Sequence, residues 1–127
     1  MSSLSAILLD EHYYRFMREG RTTIDGITVL DPVHLVPFKA KAYVDLSARR
    51  ARGEHVNTRD LRKHKKDVFR LVQLFVPESS AELPDSIRDD MAEFVVMAER
   101  EGVPLAQIGV RMSLDEAFSL LREAYGL

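Results

Sequence analysis

The spacing of apolar residues after position 30 predicts a helix from Asp31 to about Arg52. Asp31 is of the residue type that caps helix N-termini, and Pro32 follows it at the first helical position, where a missing N–H costs nothing. Pro37 is expected to restart or kink the helix, because proline removes a backbone hydrogen bond in a helix interior. Gly53 is expected to end it.

Further helices are predicted downstream. Asn57 or Thr58 caps a second helix. A third runs from about residue 84 to residue 101, and a fourth follows the capping box at residues 113–116 and ends near Tyr125. The apolar stripe that gives the second segment its helical period consists of Leu61, Val68, Leu71, Val72 and Phe75.

The first 30 residues have a different pattern. The short apolar run at residues 5–9 predicts a buried strand. A short helix follows, with Asp10 as its N-cap and Gly20 as its stop. Asp25-Gly26 lies between two β-rich arms, which favours a hairpin with a type I′ turn.

Together these elements predict an α+β fold, with a small N-terminal antiparallel sheet or hairpin followed by a bundle of three to four helices. We expect a single domain over residues 1–127, with a strand–helix–hairpin part at 1–30 and a helical part at 31–127. Short strands at the N-terminus would leave open sheet edges, so we expect the run at residues 5–9 to be covered by a symmetry mate, a partner or a missing N-terminal part of the same gene.

Composition narrows the class of protein. The chain has 46% hydrophobic and 30% charged residues, which is ordinary for a globular protein, and it has no cysteine. Disulfides and thiolate chemistry are therefore excluded, and a reducing compartment is favoured. No apolar run approaches the roughly 18 residues of a membrane helix. We expect a cytoplasmic protein without membrane contact.

The charge is unevenly distributed. Residues 39–70 hold 11 of the 18 basic residues but only four of the 20 acidic ones, a net +7, whereas the whole chain has a formal net charge of −2. Residues 71–127 hold four basic and 11 acidic residues. This asymmetry indicates a surface for an anionic ligand, although a solvated helical face or intramolecular charge balance would give the same pattern.

Helical geometry separates two lysines of this window. At about 100° per residue, Lys39 and Lys41 point roughly 200° apart. Lys41 faces Asp45 at i,i+4 and is expected to form an exposed pair. Lys39 lies at the edge of the buried stripe, where a cation binds phosphate more strongly than in bulk water. The alternative is that Lys39 extends over the core with its ammonium group in water.

The second helix carries more candidate side chains. Asp60, Lys63 and Asp67 recur at helical spacing and share one face, and Lys66 and Arg70 form a neighbouring cationic strip. The chain has no glycine-rich phosphate loop. These residues therefore offer a cationic helix pair with one well-placed carboxylate, Asp67, but no complete catalytic set.

The four histidines show no short ligand spacing, so we expect no metal site made by histidines. His64 falls between two residues of the apolar stripe and is expected to be a hydrogen-bonded boundary histidine. The histidines are His12, His34, His55 and His64.

The segment "GITVLDPVHLVPFKAKAYVDLSARR", followed by "LRKHKKDVFRLVQL", resembles the C-terminal half of bacterial nucleotidyltransferase-like proteins of the AbiEii/AbiGii toxin type. Such proteins are associated with abortive infection and toxin–antitoxin pairs. The resemblance covers about residues 5–75 and matches Lys39, Lys66 and Asp67. It implies catalytic roles for Lys39 and Asp67. The phosphate-binding residues expected on this basis are Lys39, Lys63, Lys66 and Arg70.

The chain also departs from that family's pattern. A nucleotidyl-transfer core of the DNA polymerase β type has a Gly-Gly or Gly-Ser turn and an Asp-x-Asp pair for Mg²⁺, and this sequence contains neither. The resemblance implies that this part lies upstream of Met1. Mg²⁺ and a nucleoside triphosphate are then expected as cofactors only when that half is present, with no cofactor for this chain alone and weak binding of a magnesium–nucleotide complex at best.

Two non-enzymatic interpretations stay open. The chain could be a nucleic-acid-binding module, since residues 102–121 loosely resemble a helix-turn-helix, although their acidic surroundings disfavour contact with phosphate. It could also be an assembly protein whose basic window docks on the acidic helix at residues 85–101 of the same or another chain. Expected partners are nucleotide or nucleic-acid phosphate, an antitoxin, or a second copy through the N-terminal sheet edge.

Overall fold

The computed structural model describes residues 6–127, which fold into a hairpin followed by packed helices. This is the α+β class that the sequence predicts. Within residues 6–127, no helix has both the length and the apolar character that crossing a membrane requires. The elements are α1 (Glu11–Gly20), β1 (Arg21–Ile24), β2 (Ile27–Leu30), α2 (Pro32–Ala51), α3 (Thr58–Val72), α4 (Asp85–Glu101), a 3₁₀ turn (Leu105–Ile108) and α5 (Leu114–Tyr125).

The hairpin forms where the sequence predicts it. β1 and β2 pair antiparallel, with Ile24 opposite Ile27. Asp25 and Gly26 have φ angles of 51° and 77°, and a type I′ turn requires positive φ at both central residues. Within the described residues the two strands pair only with each other, and almost all of their side chains are exposed.

The prediction of a strand at residues 5–9 is wrong for residues 6–9, the part that the structure describes. Ala6 and Ile7 are helical and the next two residues form a turn, closed by a hydrogen bond from Leu9 N to Ala6 O. Ser5 lies outside the described residues. Ile7 is buried in the helical core and Leu8 packs partly against it, whereas Leu9 is 76% exposed, so only part of the apolar run packs inward. A five-residue apolar run fits either element, and periodicity alone does not separate them.

Local capping explains where the helices begin. Asp31 accepts a hydrogen bond from His34 N, Asn57 accepts from Arg59 N, and Ser113 accepts from the backbone N–H three residues on. These are the cap residues that the sequence predicts. Pro37 lies inside α2, which is continuous from residue 32 to residue 51, so the helix does not restart there.

One contiguous core holds the helices together. Phe69 packs against Phe94 of α4 and, edge to face, against Phe118 of α5. The buried hydroxyl of Tyr125 donates to Val33 O at 2.5 Å, which ties α5 to the start of α2. Aromatic pairs of this kind stabilise the fold by more than the burial of their surface area alone. Together with the Tyr125 hydrogen bond, they fix α3, α4 and α5 relative to α2.

The junction between α1 and α2 depends on one close contact. Gly20 is buried against the His34 side chain, and a Cβ atom at position 20 would lie 2.3 Å from His34 Cγ. His34 cannot easily move aside, because the centre of its ring lies 4.7 Å from the centre of the Phe16 ring and the ring is hydrogen-bonded to Asp31. The glycine is therefore required by space at this position.

We expect Gly20→Ala to lower the free energy of unfolding by roughly 1–3 kcal/mol, the usual cost of overpacking. Helix propensity alone predicts the opposite sign, since alanine is the better helix former. Urea denaturation measures the change. Glu19→Ala, at the neighbouring exposed position, should stay within about 0.5 kcal/mol. The added Cβ would also lie 2.4 Å from His34 Cβ, so only a His34→Gly background removes the clash. In that background the Gly20→Ala cost should largely disappear, and an unchanged cost would contradict the steric explanation.

Candidate phosphate-binding site

The packing of α2 against α3 brings together two residues singled out by the sequence. Lys39 Nζ on α2 lies 3.1 Å from Asp67 Oδ2 on α3. Their side chains are only 15% and 19% exposed, so this is a half-buried ion pair. Arg70 lies 3.6 Å from the other carboxylate oxygen of Asp67. Asp67 is thus held between two cations from different helices, Lys39 of α2 and Arg70 of α3. Lys39 lies where the sequence places it, at the edge of the buried stripe.

Lys41 is not the simple exposed pair that the sequence predicts. Its ammonium group lies 3.2 Å from Asp45 and also 3.2 Å from Asp90 on α4, and its side chain is only 22% exposed. The buried Tyr13 hydroxyl donates to Asp90 at 2.8 Å. Burial lowers the pKa of Lys41, but the two carboxylates outweigh it and the net shift is upward. Lys41 therefore belongs to a network that joins α1, α2 and α4, which helical spacing alone could not show.

Five cations of α3 form a continuous surface along one side of the helix, and with Thr58 they line an open groove of about 490 Å³. We call this set the α3 ridge: Arg59, Arg62, Lys63, Lys66 and Arg70. Arg70 pairs with Asp67, whereas the other four form no ion pair among residues 6–127.

The ridge contains three of the predicted phosphate-binding residues and two that the sequence interpretation missed. Arg59 and Arg62 are exposed and precede Lys66 by seven and four residues, a spacing that places them on the same side of a helix. The helical period could have identified them. Asp67 follows Lys66 directly, so the Lys39–Asp67 pair lies along one flank of the ridge.

Part of the basic window is neutralised within the chain. Lys41 contacts Asp90, and Lys65 contacts Glu101 at 3.4 Å, so two lysines of the window reach the acidic helix α4. Contacts of this kind are the ones predicted if the basic window is balanced by acidic residues of the same chain. The α3 ridge does not share them, and its positive potential faces solvent.

Nucleotidyl transfer of the resembled type uses carboxylates that hold Mg²⁺. Within residues 6–127 no group of three or more histidine, cysteine, aspartate or glutamate side chains is arranged to hold a metal ion. The chemistry that these residues can supply is binding and orientation of phosphate by cations.

His64 lies beneath the ridge and not on it. It is 8% exposed and faces α2, on the apolar side of α3 that the sequence indicates. Burial lowers the pKa of His64, and the charge of Lys39 lowers it further, with a smaller effect from Lys63; Asp67 and Asp60 act in the opposite direction. Its neutral form is therefore favoured in the folded protein.

Comparisons of the chain with protein-family profiles, with curated protein sequences and with solved structures gave no match. The residues described above and their geometry are therefore the basis for assigning a function to the chain.

We expect the free energy of unfolding to fall as the pH is lowered from 6.5, the ordinary pKa of histidine, toward the lowered pKa of folded His64. The sign follows because the unfolded chain binds a proton at His64 more tightly than the folded chain does. Urea denaturation at several pH values measures this slope. His64→Gln should reduce the slope, whereas His55→Gln, at an exposed position, should leave it unchanged. Equal slopes in all three proteins would contradict the assignment.

Proposed function

We propose that this chain is the phosphate-contacting portion of a nucleotidyltransferase of the AbiEii/AbiGii type. In this proposal it binds the phosphates of a nucleotide on the α3 ridge, beside the Lys39–Asp67 pair. The carboxylates that hold magnesium belong to a segment outside these 127 residues. The proposal includes the roles that the resemblance implies, with Lys39 contacting phosphate and Asp67 orienting a lysine, the nucleotide or the metal.

One observation carries the proposal. Lys39 and Asp67 were singled out by the resemblance from separate segments, and their charged groups lie 3.1 Å apart. The two residues lie on different helices, so it is the packing of α2 against α3 that brings them into contact. A surface lysine would leave its ammonium group in water, whereas this one is held at a half-buried position by a fixed carboxylate.

The electrostatics of the site favour a multiply charged anion over a neutral ligand. Lys39 and Arg70 flank Asp67 and neutralise it, so its charge does not repel an incoming anion. Arg59, Arg62, Lys63 and Lys66 add positive charge over about 10 Å of helix, at 1.5 Å per residue. Arginine contributes forked donors and lysine a point charge, and both are typical ligands of polyphosphate.

Binding of inorganic tripolyphosphate to the purified chain tests the ridge. At low salt and without divalent metal, we expect calorimetric titration to detect binding that weakens steeply as salt is added. Lys63→Gln combined with Lys66→Gln should weaken binding by about 100-fold, since two charge-assisted hydrogen bonds of roughly 1.5 kcal/mol each are lost.

The matched control is Arg18→Gln combined with Arg21→Gln, which removes the same net charge from exposed positions on α1 and β1. This control should change the affinity only slightly, through long-range electrostatics. Equal losses in both double variants would mean that tripolyphosphate responds to total charge and not to the ridge.

The proposed transferase activity can be tested only in a protein that also contains the magnesium-binding segment. The genomic DNA around the coding segment should encode a glycine turn followed by Asp-x-Asp, in the same or a neighbouring reading frame. In the protein that unites both parts, we expect Lys39→Ala to lower the rate of labelled-nucleotide transfer by about 100-fold or more. Lys41→Ala, which removes another half-buried, ion-paired lysine from the same helix, should have a much smaller effect.

Retained transfer in the Lys39→Ala protein would contradict the role of Lys39. If no such segment is encoded, the transferase assignment fails and non-enzymatic binding of nucleic-acid phosphate replaces it.

A further inference from the structure

A second cavity adjoins the α3 ridge on the side away from Asp67. Its volume is about 310 Å³, and it shares Arg62 and Lys66 with the ridge groove. A ligand that occupies both would therefore pass from one cavity to the other without leaving the surface of α3. Neither the sequence pattern nor the resemblance assigned this cavity.

Cations line part of this cavity, as they line the ridge groove, and Arg50 is one of them, but the other side of the cavity is apolar. Leu61, Val103 and Pro104 form an apolar side, between the start of α3 and the segment that follows α4. Leu61 is buried, Val103 is half-buried and Pro104 is exposed, so an apolar surface is open to a ligand. A planar ring placed there would lose contact with water on one face, which favours binding.

Glu101 gives the cavity a fixed hydrogen-bond acceptor. The hydroxyl of Tyr43 donates to Glu101 Oε2 at 2.5 Å, and Lys65 donates to the same oxygen at 3.4 Å. The ammonium group of Lys65 also lies 5.6 Å from the centre of the Tyr43 ring, which holds it in place. Among the described residues, Oε1 of Glu101 accepts no hydrogen bond. It is therefore an acceptor that an amino or imino group of a ligand can use.

We propose that this cavity binds the base of a nucleoside polyphosphate whose phosphates lie on the α3 ridge. The base packs against the apolar side formed by Leu61, Val103 and Pro104. Its N–H groups donate to Glu101, while Arg62 and Lys66, which belong to both cavities, receive the phosphate nearest the ribose. This inference rests on the proposed function, because it needs the ridge to bind phosphate.

The arrangement predicts a preference that phosphate binding alone does not. Tripolyphosphate has the charge of a triphosphate but no base, so it can occupy the ridge and leave the second cavity unfilled. ATP adds a ring and an exocyclic amino group. We therefore expect ATP to bind roughly tenfold more tightly than tripolyphosphate, a ratio that corresponds to about 1.4 kcal/mol.

The experiment titrates the purified chain with ATP and, separately, with inorganic tripolyphosphate, in low salt with a metal chelator. Val103→Gln replaces an apolar wall residue with a polar one and leaves the net charge unchanged. It should reduce the ATP affinity to that of tripolyphosphate while tripolyphosphate binding stays the same. That unchanged binding also shows that the variant is folded. Val96→Gln, at a valine of α4 that is 54% exposed, is the matched control and should preserve the ratio.

The outcomes separate the two proposals. Equal affinity for ATP and tripolyphosphate in the natural chain would overturn the base cavity and leave the phosphate-binding ridge intact. A preference for ATP that survives Val103→Gln would overturn the location of the base. Failure of both ligands to bind would overturn the ridge and the cavity together.

Discussion

The packing of α2 against α3 positions the Lys39–Asp67 pair and orients the α3 ridge beside it. The apolar side of α3, with Leu61, Val68 and Val72, is buried, and the charged residues next to it are drawn toward the contact. Charges at such a boundary lose part of their hydration and are stable there only when paired. The pairs on the two flanks, Lys39 with Asp67 and Lys65 with Glu101, meet this need. Arg59, Arg62 and Lys63 of the ridge are exposed on the side opposite the packed face, where no partner is required, while Arg70 pairs with Asp67.

The sequence predicts the fold well where the determining signals are local. Asp31, Asn57 and Ser113 cap helices through hydrogen bonds to residues two or three positions away, and the turn at Asp25-Gly26 needs only its own backbone angles. The apolar run at residues 5–9 has no such signal. Its conformation is decided by the core into which Ile7 packs, so a strand and a helical turn cannot be told apart from five residues.

The candidate site is less predictable, because its contacts cross between helices. Periodicity gives the orientation of Lys39 and of the ridge, and it could have added Arg59 and Arg62. It cannot give the distance between Lys39 and Asp67, nor the second carboxylate that binds Lys41. The cavity beside Glu101 needs the segment after α4 to return to α3, and that path depends on the packing of the whole core.

The hairpin has a consequence for how freely this sequence can change. Ile24 and Ile27 are 58% and 66% exposed, and β1 and β2 bury almost nothing, so the helical core gains little from the identity of their side chains. Leu30 at the end of β2 packs against the core, and the turn residues and the junction at Gly20 constrain the region sterically. The exposed strand positions can therefore vary in charge and hydrophobicity without disturbing the helices, and the surface they form can diversify independently of the site on α3.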